Sequence, residues 1–187
     1  MNGDKLREGI FALRTRRFGS VAECMVKRLG RYGKARNQFY DLHDLEQDLG
    51  IEVKFSTVMK KAEQKVTEET VLQCIEEATA EQRLVAFSDW QRHQFDSNIQ
   101  QVKRRKFDVL YYGLFFSDCV KIFRINKADI RTRKEGGNIG YSDKQHAGNV
   151  GEGQFHLKEK NLRIHLEKYF FKTLTYDELY HLLAAES

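Results

Sequence analysis

Residues 107–116 read FDVLYYGLFF, and CVKIFRI follows at 119–125 after the dipeptide Ser117-Asp118. Two apolar runs separated by so short a turn have no polar face to show to water. They are expected to be neighbouring strands at the centre of a sheet that is covered on both sides. Everything else in the chain then has to supply the covering layers and the sheet edges.

The flanking segments supply both. Leu6, Ile10 and Leu13 recur at helical spacing over residues 4–16. Val21, Met25 and Leu29 do so again up to about Gly30, with Ser20 as the expected N-cap. NQFYDLHD and GIEVKFS alternate apolar and polar residues, which predicts a β-hairpin. Residues 67–80 predict a helix capped by Thr67 with Val71, Leu72 and Ile75 packed inward, RLVAF at 83–87 a short strand, and residues 97–105 a short polar helix. A last strand is expected near 154–158, then two helices, the second opened by the capping box Thr175-Tyr-Asp-Glu178. Leu162, Leu166, Tyr169, Leu174, Leu179 and Leu182 of that region fit a core or a subunit interface equally well. The order implies an α/β fold with a mixed β-sheet flanked by helices.

The chain has 187 residues, enough for one domain, 1–187, with a real core. It is 41% hydrophobic and 32% charged, which fits a globular chain and not a disordered one. No apolar run approaches the roughly 18–20 residues needed to cross a bilayer, and the first 18 residues lack the apolar stretch of a secretory signal. The cytoplasm is the expected location. Cys24, Cys74 and Cys119 form no C-x-x-C pair and are expected to be small buried hydrophobes. Proline is absent, so glycine carries the turn signals.

Net charge is +5, and the positive residues cluster: RTRR at 14–17, KRLGRYGKAR at 27–36, KRRK at 103–106 and RTRK at 131–134. Such clusters suit a polyanion, nucleic acid first among them, or simply a solvated surface.

Within the hairpin, Glu52 and Lys54 alternate with Ile51, Val53 and Phe55. Placing Asp41 opposite Glu52 pairs Leu42 with Ile51 and Tyr40 with Val53, so the apolar pairs share one face. Asp41, Glu52 and Lys54 then collect on the other, together with His43, and Leu45–Asp48 form the turn. Placing Asp44 opposite Glu52 mixes apolar and charged residues on both faces, so Asp44 is the second choice. Carboxylates directly across an antiparallel pair have Cβ atoms about 4.5–5.5 Å apart and repel one another. A divalent cation between them turns the repulsion into attraction. Mg²⁺ accepts one or two carboxylates and keeps several waters. A lysine alongside adds a hold on water or phosphate, the ingredients for attack on a phosphodiester. The competing reading is a solvated face with a Glu–Lys pair. E-x-K also occurs at Glu63-Gln-Lys65 without a strand around it.

Asp41, ten residues, then Glu52-Val53-Lys54 resembles the D…(D/E)-x-K core of the PD-(D/E)xK nuclease superfamily, which includes many type II restriction endonucleases. The likeness extends to the order of elements over about residues 18–126: helical region, Asp–Glu hairpin, helix, apolar strand pair. Tyr40 stands where many members have a proline. The resemblance implies a restriction-endonuclease-like sheet and Mg²⁺ held by Asp41, Glu52 and the Val53 carbonyl. It also implies Lys54 orienting or activating the attacking water. Some members add a glutamate from an N-terminal helix, and Glu23 in GSVAECMVKRL is the matching residue; the alternative is an ordinary helix-surface glutamate.

Duplex DNA is the implied partner. Residues 137–156, GNIGYSDKQHAGNVGEGQFH, carry Asn138, Ser142, Lys144, Gln145, His146, Asn149 and Gln154 among glycines. Amides match adenine edges and lysine matches guanine, so these residues form the expected recognition loop of a C-terminal part, about 133–187, or else a surface insertion. SNIQQVKRRKF places Lys103, Arg104, Arg105 and Lys106 where they can meet phosphates and Gln100 or Gln101 where one can approach the cut; an exposed helix end with favourable charges at its C-terminus is the equal alternative. His93, His165 and His181 are expected to be structural, and Trp90, Tyr111 and Tyr112 to be core. Under the resemblance the protein is a Mg²⁺-dependent endonuclease acting on a short sequence, as a homodimer for a symmetric target. A DNA methyltransferase is the expected genetic neighbour. A junction resolvase, a repair nicking enzyme, a ribonuclease and a non-catalytic DNA-binding protein are the alternatives.

Overall fold

The computed structural model describes residues 2–61, 64–145 and 150–185. It is a mixed α/β structure. Six strands form one sheet: β1 (Gly33–Lys34), β2 (Leu42–Asp44), β3 (Leu49–Thr57), β5 (Val109–Phe115), β6 (Val120–Asn126) and β9 (Phe170–Leu174), side by side in that order. β3 and β5 are parallel and the other neighbours antiparallel. A second, antiparallel sheet has the order β4 (Asp96–Val102), β8 (Val150–Lys158), β7 (Ser142–Lys144).

The apolar pair behaves as its composition demands. Every residue of β5 is buried, and β6 buries Val120, Ile122, Phe123 and Ile125. Val109, Tyr111 and Phe115 pack against the helices α1 (Gly3–Ala12), α2 (Thr15–Gly30) and α6 (Tyr176–Ala184). Leu110, Tyr112, Leu114 and Phe116 pack on the other face, against the second sheet and α5 (Leu162–Lys168). Buried aromatic rings set the spacing between layers: Phe18 of α2 meets Phe115 edge-on at 5.0 Å, and Phe155 of β8 meets Tyr112 at 5.1 Å. His165 is fully buried in this second layer. Its Nδ1 lies 2.8 Å from the Tyr112 hydroxyl, and burial pushes its pKa down to about 4, so it packs as a neutral ring.

α2 begins six residues earlier than expected, with Arg14 and not Ser20 at the N-cap position. Phe18, Ala22, Met25 and Val26 form one buried stripe, and Ser20 lies inside the helix, its hydroxyl donating to the Arg16 carbonyl at 3.3 Å. The capping box of α6 is present, with Thr175 and Glu178 satisfying each other's backbone.

Four further expectations of secondary structure fail. Residues 97–105 contain β4 and a turn, not a helix. Ser97, Ile99 and Val102 face inward, and the pairing to β8 supplies hydrogen bonds that outweigh helix propensity. Residues 83–87 contribute a single bridge from Leu84 to Met59, and a 3₁₀ helix, Phe87–Arg92, follows. The helix in 67–80 shortens to α3 (Val71–Glu77), which buries none of its residues and leaves Leu72 and Ile75 exposed; the short α4 (Ala80–Arg83) follows it. Finally, residues 170–174 form edge strand β9 between the two C-terminal helices. Of the cysteines only Cys119 is buried; Cys24 is exposed and Cys74 intermediate. Trp90 is half-buried against the core that holds Tyr112. No helix among the described residues is long and apolar enough to cross a membrane.

Candidate active site

The hairpin takes the register that buries its apolar residues. Leu42 pairs with Ile51 and Asp44 with Leu49, and the Asp41 N–H donates to the Ile51 carbonyl at 2.9 Å, which sets Asp41 opposite Glu52. Asp44 is the last residue of β2 and braces the turn that follows, its carboxylate accepting from the Glu46 and Gln47 N–H groups. Asp48 adopts a left-handed backbone (φ 55°) in the same turn. His43 shares the face of Asp41, but Tyr40 and Asp48 engage its two nitrogens at 3.1 and 3.0 Å. Tyr40 does not face Val53. It lies against Gly50, whose missing Cβ makes room for its ring.

β2 ends while β3 runs on for several residues, and the site forms at that step. One oxygen of Asp41 accepts the Val53 N–H at 2.8 Å, which puts Val53's carbonyl on the same edge of β3. Lys54 reaches back with Nζ 3.7 Å from Asp41 Oδ2 and 2.5 Å from Glu52 Oε1. Glu52 is buried, at 7% exposure. Burial pushes its carboxyl up to about 7; Lys54 pulls it down, Asp41 raises it again, and Lys103 is near enough to lower it slightly. For Lys54, burial opposes the charge, but Glu52, Asp41 and Glu23 outweigh it and hold the pKa above the usual lysine value. Glu23 on α2 belongs to the same electrostatic group. Its carboxyl is raised first by burial and then by Asp41, with Lys54 opposing. The Lys54 ammonium thus interacts with three carboxyl groups, those of Glu52, Asp41 and Glu23.

A cleft of about 720 Å³ opens here, bounded by α1 and α2 on one side and β3 and β4 on the other; Glu23, Lys54, Asn98, Gln100 and Gln101 line it. Among the described residues no three His, Cys, Asp or Glu side chains converge as a ready metal cage.

No protein-family model, curated protein or solved structure matches this chain.

The residues expected to meet DNA divide into three groups. Gln101 lies at the cleft, and Gln145 bonds to it across the sheet. Ser142 and Lys144 are exposed on β7. Arg105 is exposed as well.

Others are engaged within the fold. Arg104 forks onto Glu135 at 2.9 and 3.0 Å and also reaches Asp143, with its guanidinium over Tyr141. Lys103 pairs with Glu152 at 2.9 Å, Asn138 accepts from the Tyr169 hydroxyl, and Gln154 accepts from Asn98. A run of like charges in sequence cannot show which members already have partners.

His146, Asn149 and Glu63 lie outside the described residues. Asn98 was not singled out from the sequence. Its signal is the alternation Ser97-Asn98-Ile99-Gln100, which becomes visible only once this segment is read as a strand.

Proposed function

We propose that this chain is a Mg²⁺-dependent endonuclease of restriction-endonuclease-like fold that hydrolyses duplex DNA at a short specific sequence. The observation carrying this reading is the convergence of Asp41, Glu52 and Lys54 at the step between β2 and β3, within 3.7 Å of the Lys54 nitrogen. The donor set fits the ion: two carboxylates and the Val53 carbonyl are what Mg²⁺ accepts while keeping waters. Burial first, and Asp41 after it, raises the carboxyls of Glu52 and Glu23, and a divalent cation would offset the cost of ionising them there.

When bound, Mg²⁺ supplies charge neutralisation at the phosphate and a more acidic water. Asp41 and Glu52 would hold the ion, and Glu23 would add a carboxylate from the helix side. Lys54 stays protonated beside two acids. It therefore acts by donating hydrogen bonds that orient water or a phosphate oxygen, not as the base. The reading includes a homodimer acting on a symmetric target, a cytoplasmic location and a methyltransferase encoded nearby.

The test is incubation of mixed-sequence plasmid with Mg²⁺ and with chelator. Discrete fragments that appear only with Mg²⁺ support the proposal, and an intact plasmid under all conditions refutes it. A second reading, a DNA-binding protein without catalysis, draws on Lys54 already occupying the space between the two acids. Sequence-specific binding that is indifferent to chelator would favour it.

Metal affinity should depend on pH. Glu52 must lose a proton to act as ligand, and its carboxyl is pushed up to about 7. Apparent Mg²⁺ affinity should therefore fall about tenfold per unit below pH 7 and level off above it. Calorimetric Mg²⁺ titrations between about pH 5.5 and 8.5 check this; an affinity flat across that range removes Glu52 from the ligand set.

A further inference from the structure

β4 carries a bulge beside the cleft. Ile99 pairs with Phe155 and Val102 with Gly153, so Gln100 and Gln101 together oppose the single residue Gln154. Gln101 takes the extra position in a left-handed backbone, φ 58°, a conformation that β-carbons disfavour. Bulges of this kind re-aim a side chain and gather next to functional sites.

A chain of amides braces the bulge from the neighbouring strands. Asn98 Nδ2 donates to Gln154 Oε1 at 2.9 Å. Gln154 Nε2 donates to the Gln145 carbonyl at 3.4 Å. Gln145 then grips both bulge residues: its Oε1 accepts the Gln101 N–H at 3.1 Å, and its Nε2 donates to Gln100 Oε1 at 3.3 Å. Every member of this brace is neutral, so it makes a fixed frame without drawing in a counter-ion. Gln101's own carboxamide hydrogen-bonds to none of the described residues. It is exposed, and its residue lines the same cleft as Lys54.

We infer that Gln101 reads an adenine through the major-groove edge, next to the phosphate held at Lys54, and that Gln145 is the positioning residue that keeps it aimed. This rests on the proposed action on duplex DNA. A free carboxamide offers one acceptor and one donor side by side, the complement of adenine N6 and N7. The left-handed backbone sets the direction in which the Gln101 side chain leaves the strand, and the amide brace holds that backbone in place. Asn98 and Gln154 contribute as the rear of the brace, not as readers.

The experiment selects duplexes from a randomised pool with Ca²⁺ in place of Mg²⁺, using wild type, Gln101→Gly and Gln145→Ala. Wild type should enrich a motif with a fixed adenine. Gln101→Gly should lose discrimination at that position by roughly five- to 150-fold, the range of one bidentate contact. Glycine accepts the left-handed backbone, so its melting temperature should not fall, and a folding defect is thereby excluded. Gln145→Ala should lose discrimination at the same position to a smaller extent.

The inference is overturned if wild type selects no base, or if Gln101→Gly keeps the same preference. It is also overturned if the position that changes is not an adenine. Cutting is scored separately with Mg²⁺. A protein that selects the adenine through Gln101 but never cuts keeps this inference and loses the nuclease. One that cuts every sequence alike does the reverse.

Discussion

Glu52→Gln should abolish Mg²⁺-dependent cleavage while leaving the fold as stable as before or more so. The amide keeps the shape of the side chain but cannot carry the charge that holds the ion. Losing about 4 kcal/mol of transition-state stabilisation lowers the rate on the order of 10³-fold. The stability half follows from the raised carboxyl of Glu52. Below the ordinary carboxyl pKa the group is neutral in both folded and unfolded chains. As pH rises, the unfolded chain ionises first, so stability is lost progressively until the folded group also ionises at about 7. The variant lacks that loss. At about pH 8 it should gain about 1–3 kcal/mol, because Lys54 keeps Asp41 as counter-ion at 3.7 Å. Thermal unfolding at acid and alkaline pH, with and without Mg²⁺, checks both halves. Mg²⁺ should stabilise wild type and not the variant. Normal cutting by Glu52→Gln would refute the assignment.

Asp41→Asn should be nearly as damaging to cleavage, and Asp44→Ala should be close to silent. Asparagine still accepts the Val53 N–H that Asp41 accepts at 2.8 Å, so no backbone donor is left unpaired in the step between strands. Only the charge is lost, and cleavage should fall by about two to three orders of magnitude. Asp44 holds the turn through the Glu46 and Gln47 amides. Its truncation should cost about 0.5–1.5 kcal/mol of stability and leave the cutting rate alone. Single-turnover rates on a plasmid substrate, with urea unfolding in parallel, separate the two carboxylates. Full activity in Asp41→Asn would sink the site as described.

What could be read from the sequence depended on how local the determining interaction was. The pairing of Leu42 with Ile51 was legible because only one register puts apolar residues together. The central pair, β5 and β6, was legible because its residues leave no side for water. β4 was not. Its bulge sets Gln100 and Gln101 in succession and breaks the two-residue period, and the helix-favouring Gln-Gln-Val-Lys-Arg-Arg-Lys stretch points the wrong way. β9 was hidden for a related reason, since Leu162, Leu166 and Tyr169 keep a helical spacing up to the residue before it begins. Leu72 and Ile75 mark a face of α3 that the fold leaves in water, so amphipathic spacing overstated that helix's burial. Alternation placed Asp41, Glu52 and Lys54 on one face of the hairpin, and the structure brings the three side chains together. The Arg104 fork to Glu135 joins residues far apart in sequence and has no local signature.

Asp41, Glu52 and Lys54 all come from one stretch of fourteen residues, while the amide brace is assembled from strands more than forty residues apart. Inheritance can therefore act on the two halves separately. On the proposed roles, substitutions around Gln101 and Gln145 would drift toward a new target word while the hairpin is passed on unchanged, so descendants of this chain would diverge in vocabulary long before they diverge in chemistry.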